Sequence, residues 1–260
     1  MTADEVLFEV RDRIAYVTLN RPQRRNAMSY GVWDRLVELF DRCDTDPEIW
    51  AVVLTGVGDR AFCAGADLKE LDELARAGKP IRVPMSGSQR NVHEAVLETY
   101  KPTIAALNGH ALAGGFELAI ACDIRIAADH ITLGLPEAKR GMGANFASVL
   151  LPRLIPRALA LEMLYTAEPI SAARALELGL VNRVVPYSEL AKTAQEFASA
   201  LVANAPLTLR RYKEMATKGW ELPVSAALRL SVGPNPYLSE DREEGVRAFV
   251  ENRTPRWRGK

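Results

Sequence analysis

Three cysteines in 260 residues, Cys43, Cys63 and Cys122, are too few and too widely spaced for a disulfide framework or a paired-cysteine metal site. They fit a reducing cytosol. The three histidines, His93, His110 and His130, also lack the spacing of a metal site, and a lone histidine is more often structural. Net charge is missing as well. Lys plus Arg (33) equals Asp plus Glu (33), so no overall field draws the chain to nucleic acid or an anionic membrane, and any bound anion is held locally. The opening residues MTADEV carry acids where a signal or transit peptide needs bases and an apolar stretch, so no export is expected. The longest weakly charged stretch, residues 102–122, contains Asn108, His110 and Glu117, each costly in hydrocarbon. It reads as a buried strand followed by a buried helix. No internal repeat or low-complexity tract is visible.

Two nucleotide and hydrolase signatures also fail. Gly109 and Gly114 have P-loop spacing, but Gly115-Phe116 stands where Lys-Ser/Thr is needed to reach a phosphate or magnesium. No G-x-S-x-G elbow occurs.

What is present suits an ordinary globular protein: 48% hydrophobic residues, 25% charged, and enough length to bury a core without metal or disulfide support. Alternation over residues 7–10 and 14–19 predicts an opening hairpin. Residues 20–28 then form a loop with three arginines. Trp33, Leu36, Val37 and Phe40 share one helix face, and the apolar run 51–55 reads as a strand. A second run, 103–107, leads through Asn108-Gly109 to a helical stretch over 114–121, and 124–127 is strand-like again. Strands alternating with helices predict an α/β core with parallel pairing. From about residue 153 the strand signal fades into a helical tail, with Leu190, Ala194, Phe197, Ala198 and Leu201 on one face and Ser239 as a helix cap. Residues 75–90 have no period and read as a mobile loop. The tail 252–260 holds Arg253, Arg256, Arg258 and Lys260 and no acid, as either a cap on a neighbour or a frayed end.

One arrangement occurs twice: a strand, a loop of small residues, then a helix start. In AFCAGADLKE (61–70), Asp67 and Glu70 have capping-box spacing, which places the amides around Ala66 at the positive end of a helix. In GHALAGGFE (109–117), glycines let the backbone approach a ligand. Two such N–H groups aimed at one oxygen would make an oxyanion hole; each segment alone is equally compatible with a tight turn. Glu117 lies one helical turn beyond Gly114 in the least charged part of the chain. Burial there would raise its pKa and suit it to proton transfer, unless it is only a hydrogen-bonded buried acid. Glu137, in GLPEAKRG (134–141), follows a strand-like segment and could share a water with Glu117, or form a surface ion pair with Lys139 or Arg140.

With these residues in view, the chain resembles the enoyl-CoA hydratase/isomerase (crotonase) family. Residues 61–70 are similar to its A-F-C-A-G-A-D-L-K-E signature, and residues 101–123 to its K-P-x-I-A-A-x-x-G-x-x-x-G-G-x-E-L-x-x-x-C-D block. Further matches are LNRP (19–22) with Asn26-Ala27, ALELGLVNRV (175–184) and SEDREEGVRAF (239–249). The resemblance implies a spiral β-β-α core over 1–190, a C-terminal helical trimerisation region over 191–260, assembly as a homotrimer or homohexamer, and an acyl-CoA thioester as ligand. By position it puts the oxyanion amides on Ala66 and Gly114 and the two acid/base carboxylates on Glu117 and Glu137. Coenzyme A phosphates fall to Arg24, Arg25 and Lys69, and the remaining contacts to Ala64, Ala66, Asp67, Leu68 and Gly114. No metal or further cofactor is implied. Keeping both glutamates favours water addition to a 2-enoyl-CoA. Double-bond isomerisation, dehydration of a hydroxyacyl-CoA, and non-catalytic acyl-CoA binding are the alternatives. Two departures stand out. The usual Gly-Gly-Gly is Ala113-Gly114-Gly115, and the usual glycine-rich segment after the second glutamate is GANFASVLLP (143–152), in which Phe146 adds bulk.

Overall fold

The computed structural model describes residues 5–86, 88 and 90–260. Strand β1 (Val6–Arg11) turns through Asp12-Arg13, both with positive φ, into the antiparallel β2 (Ile14–Leu19). Helix α1 (Tyr30–Thr45), capped by the Ser29 side chain, returns the chain to β3 (Ala51–Gly56), which runs parallel to β2. The continuous apolar run of β3 suits a strand covered on both faces. The chain continues through β4 (Ala61–Cys63), α2 (Leu68–Arg76), α3 (Val92–Glu98), β5 (Thr103–Leu107), β6 (His110–Leu112) and α4 (Gly114–Ala121). Next come β7 (Ile124–Ala128), β8 (Thr132–Gly134), a 3₁₀ turn Pro136–Arg140 that carries Glu137, and α5 (Asn145–Leu154).

Two sheets result. One has the order β1-β2-β3-β5-β7, the other β4-β6-β8. Each turn of the chain therefore adds one strand to each sheet: β3 then β4, β5 then β6, β7 then β8. The backbone repeats although the sequence shows no repeat, because pairing and burial need only a similar pattern of polarity.

The expectation that strands end near residue 153 is corrected. After α6 (Arg157–Thr166), β9 (Ile170–Ser171) pairs antiparallel with β8; after α7 (Ala172–Glu177), β10 (Arg183–Val185) pairs parallel with β7 at the end of the large sheet. Strands of two and three residues carry no readable period, and only their partners define them. The expected junction at 190/191 falls inside α8 (Tyr187–Val202), which lies against the large sheet with Leu190, Ala194 and Ala198 buried. The last helices are α9 (Pro206–Lys218), α10 (Val224–Ala227) and α11 (Glu240–Val250), the last capped by Ser239. The basic tail is not frayed. The Asp241 carboxylate accepts from the amides of Arg258 (2.7 Å) and Gly259 (2.9 Å), and the Trp257 indole donates to the Ala203 carbonyl.

The loop expected over 75–90 begins after α2. Its described part is tied down by the Arg82–Asp34 ion pair and by the amide of Arg82 donating to the Tyr30 hydroxyl. Gly87 and Gln89 of that loop, and Met1 to Asp4 of the opening segment, lie outside the described residues. Among the described residues no helix is long and apolar enough to cross a membrane, and no three His, Cys, Asp or Glu side chains cluster as a metal site would need. All three cysteines are free and buried.

Candidate active site

Parallel pairing explains why segments far apart in sequence meet. In the small sheet β4 pairs with β6 (Ala61↔His110, Cys63↔Ala111) and β6 with β8 (Leu112↔Gly134), all in one direction. Their C-terminal ends therefore share one edge. From that edge issue residues 64–67, the start of α4, and the turn that bears Glu137.

The first loop is held by Met28. The Met28 amide donates to the Gly65 carbonyl (2.8 Å), and the Asp67 amide donates to the Met28 carbonyl (2.9 Å). Gly65 has φ +89°, and a Cβ there would lie 2.6 Å from the Ala113 Cβ and 3.1 Å from the Gly114 nitrogen, so the two loops touch backbone to backbone. Gly115 allows the second close approach: a Cβ on it would sit 2.1 Å from the Cys63 carbonyl oxygen, where α4 packs on β4. Ala113, the N-cap of α4, has φ 56° and ψ −135°, a conformation that favours glycine. Gly114 is the first residue of α4, and neither its N–H nor that of Ala66 meets a backbone acceptor among the described residues. Both are thus free to donate to a ligand.

Asp67 forms only half of the expected capping box. Its carboxylate accepts from the amides of Lys69 and Glu70, whereas the Glu70 carboxylate turns to the amide of Tyr30 (2.9 Å). The other Asp67 oxygen pairs with the buried Arg21 guanidinium at 2.9 Å. Burial alone would raise the Asp67 pKa, but Arg21 and the helix amides outweigh it and hold it low. Arg24 and Arg25 lie alongside this loop, tied to it by the Ala64 amide donating to the Arg25 carbonyl. Arg24 Nη1 is buried with no hydrogen-bond partner among the described residues, Arg25 is exposed, and so are Leu68 and Lys69 on α2. Arg24, Arg25 and Lys69 thus lie on or beside the loop that carries the Ala66 amide.

Glu117 and Glu137 are both buried, 6% and 7% exposed, yet their surroundings differ. Glu117 Oε1 accepts from the Ala147 amide at 2.8 Å, with the Phe146 amide as a second donor. Burial raises its pKa and these two amides oppose the rise. They belong to the first turn of α5, so Glu117 serves from another element as that helix's missing N-cap. Residues 145–152 of the atypical segment belong to α5, whose first turn holds the carboxylate. Among the described residues Glu137 makes no ion pair. Lys139 pairs with Glu168, the Arg140 guanidinium donates to the Pro136 carbonyl, and Glu137 Oε2 has no partner among the described residues. Burial, with the Glu117 charge adding to it, pushes Glu137 up to about 7.

Two contributors escape sequence reasoning. One is the α5 N-terminus, thirty residues from the side chain it binds. The other is His93, whose ring nitrogen Nε2 lies 2.9 Å from the Gly114 carbonyl and 3.8 Å from Glu117 Oε2. Its only sequence signal is the Asn91-to-Glu94 capping-box spacing that starts α3 just before it. The other two histidines are structural: His110 Nδ1 accepts from the Thr132 amide, and His130 bonds the Asp59 carbonyl.

The chain is similar to known proteins over its whole length. The sequence profile described as enoyl-CoA hydratase/isomerase matches residues 9–260. An (E)-benzylidenesuccinyl-CoA hydratase from Thauera aromatica is 39% identical, covering 98% of this chain and 99% of its own. A short-chain-enoyl-CoA hydratase from Clostridium acetobutylicum is 35% identical over 97% of each chain. Among solved structures, an enoyl-CoA hydratase from Mycobacterium marinum superposes with a TM-score of 0.89 at 36% identity, over 99% of this chain and all of its own. On the profile match and these full-length similarities, the chain belongs to the enoyl-CoA hydratase/isomerase family.

Proposed function

We propose that this protein hydrates the 2,3 double bond of a 2-enoyl-CoA thioester. The observation that carries the reading is the unequal pair of carboxylates, Glu117 held by the amides of α5 and Glu137 with one oxygen buried without a partner among the described residues and a pKa of about 7. The α5 amides favour the ionised form of Glu117 against the pull of its burial, whereas a pKa of about 7 leaves a large share of Glu137 protonated near neutrality, the division that acid/base chemistry at one site requires.

The amides of Ala66 and Gly114 donate to the thioester oxygen. This polarises the conjugated system and makes C3 electrophilic. Glu117 takes a proton from water as the oxygen attacks C3, and Glu137 delivers its proton to C2. One water is added, Glu117 ends protonated and Glu137 ionised, and exchange with solvent resets both. No step calls for a metal or redox group. Run backwards with the roles exchanged, the same groups dehydrate a 3-hydroxyacyl-CoA. Arg24, Arg25 and Lys69 supply positive charge for the coenzyme A phosphates.

The assembly is part of the proposal. Tyr212, Trp220, Val224, Leu228, Tyr237 and Phe249, on or near the last three helices, are 55–85% exposed, more apolar surface than a lone protomer usually leaves in water. We assign this face to a homotrimer or homohexamer; an active monomer by light scattering at micromolar concentration would contradict it. The free, buried thiols fit a cytosolic location.

A screen over 2-enoyl-CoAs of varied length and branching, followed by loss of the conjugated absorbance, tests the reaction. Glu117→Gln should lower kcat by about 10² to 10⁴ on any active substrate, with KM little changed. Wild-type turnover by that variant would overturn the assignment of the base.

A further inference from the structure

One buried ionisable ring has no part in the scheme above. His93, the second residue of α3, is 2% exposed and engaged on every side. Its Nε2 lies 2.9 Å from the Gly114 carbonyl oxygen, its Nδ1 lies 2.7 Å from Asn91 Oδ1, and one face stacks on Phe146 at 5.4 Å between ring centres. The ring therefore touches the peptide that follows the oxyanion amide and the first turn of the helix that holds Glu117.

Counting protons selects the tautomer. The Gly114 carbonyl can only accept. Asn91 Oδ1 already accepts from the His93 backbone N–H at 3.0 Å, which turns the amide oxygen toward the ring. A neutral imidazole has one N–H for these two acceptors. Burial pushes the ring's pKa down to about 4, against the opposing pull of the Gly114 carbonyl and Glu94, so the neutral form prevails at pH 7. Leaving Nδ1 bare sets a lone pair against a single neutral amide oxygen, which could swing away only by giving up its cap bond to the His93 N–H. Leaving Nε2 bare sets it against a fixed carbonyl and a carboxylate 3.8 Å away. The second arrangement is the costlier, and the proton resides on Nε2.

We infer that His93 is a positioning residue for this reaction, donating from Nε2 to the Gly114 carbonyl so that the first turn of α4 is fixed with the Gly114 amide toward the thioester and Glu117 toward the water. The inference rests on the hydratase reading. A bond to the carbonyl of residue 114 restrains the same turn that presents the amide of residue 114, and the base lies three residues further on. Displacement of about 1 Å at such groups is enough to cost on the order of 10² in rate. The N–H dipole also faces the carboxylate. Glu117 is then met by His93 from α3, by Glu137 from the turn after β8, and by the amides of Phe146 and Ala147 from α5. Removing the donor should shift the acid limb of the kcat profile, which reports Glu117, to higher pH.

Two variants separate the donor from the ring. His93→Phe keeps the volume and the stack on Phe146 but loses the N–H; His93→Gln loses the ring but keeps an amide donor. His93→Phe is expected to lower kcat about 10- to 100-fold with KM within about twofold of wild type and the acid limb moved up. His93→Gln should stay within a few-fold of wild type in rate and in limb. A second readout needs no turnover: the longest-wavelength absorbance of bound cinnamoyl-CoA, which moves to the red when its carbonyl is polarised. That shift should shrink in His93→Phe and persist in His93→Gln. Wild-type kcat, limb and shift in a folded His93→Phe would overturn the inference, and so would a His93→Gln that is impaired as severely as or more severely than His93→Phe, since the ring would then act by packing. If the wild-type protein turned over no 2-enoyl-CoA, the hydratase reading would fall, and the spectral comparison would still decide for or against His93.

Discussion

Replacing Glu137 by Gln should make the protein a poorer catalyst and, at alkaline pH, a more stable fold. In the folded chain this carboxyl titrates at about 7 against an ordinary 4.5, chiefly because it is buried. Between those values the folded state keeps a proton that the unfolded state has released. The stabilising effect of that proton is complete below about 4.5 and is lost as pH rises through 7. Each pH unit of displacement corresponds to about 1.4 kcal/mol, and with a discount for partial solvation the ionised side chain costs the wild-type fold about 2 kcal/mol at pH 8.5. Glutamine has nearly the same volume and never ionises, so Glu137→Gln escapes this cost. Urea denaturation of both proteins at pH 4.5 and 8.5, at one protomer concentration, should show near-equal stability in acid and a gain of about 2 kcal/mol for the variant in base. In parallel, kcat should fall by about 10² to 10⁴, since the proton destined for C2 is gone. A variant no more stable than wild type at pH 8.5 would refute the burial argument. A variant with full kcat would refute the acid role, and the two outcomes are independent.

Ala113→Gly should raise stability by about 1 kcal/mol in the same assay: a non-glycine residue at φ 56°, ψ −135° stores about 1 to 3 kcal/mol, against about 0.5 to 1 for glycine's extra freedom when unfolded. Asp67→Asn keeps a helix cap but removes one of the two carboxylates paired with the buried Arg21, Glu5 remaining at 2.9 Å, and should cost about 2 kcal/mol; because the Asp67 pKa is held low, this contribution is present near neutrality and lost as pH falls through that lowered value, so the two proteins should converge in strong acid. Arg24→Ala combined with Arg25→Ala should raise the Kd for coenzyme A at least tenfold at low ionic strength, with a smaller loss at high salt, measured by calorimetry; unchanged affinity would remove these arginines from the phosphate site.

Much of this protein follows from local rules that act within a few residues. Periodicity marks the β2-α1-β3 unit, the uncharged stretch around α4 marks a buried helix, and Asp67 and Ser239 cap the helices they precede. Glu117 was identifiable because an acid in so apolar a segment is expensive without a purpose. The strands β9 and β10 were not, since two or three residues become a strand only through the partner they meet. Likewise the segment 143–152 looks like a damaged glycine-rich loop until its helix is seen to aim two amides at Glu117. Glu137 stood between an ion pair and a catalytic acid; the path of the chain turns Lys139 toward Glu168 and leaves one Glu137 oxygen buried with no partner among the described residues. His93 gained its place in the same way, because its neighbours Gly114, Glu117 and Phe146 are 21, 24 and 53 residues away in sequence. Hydrogen-bond partners and burial are properties of atoms brought together in space, so the pKa shifts at this site arise from the packing of α3, α4, α5 and the turn after β8, whereas the helices themselves were already written in the order of the residues.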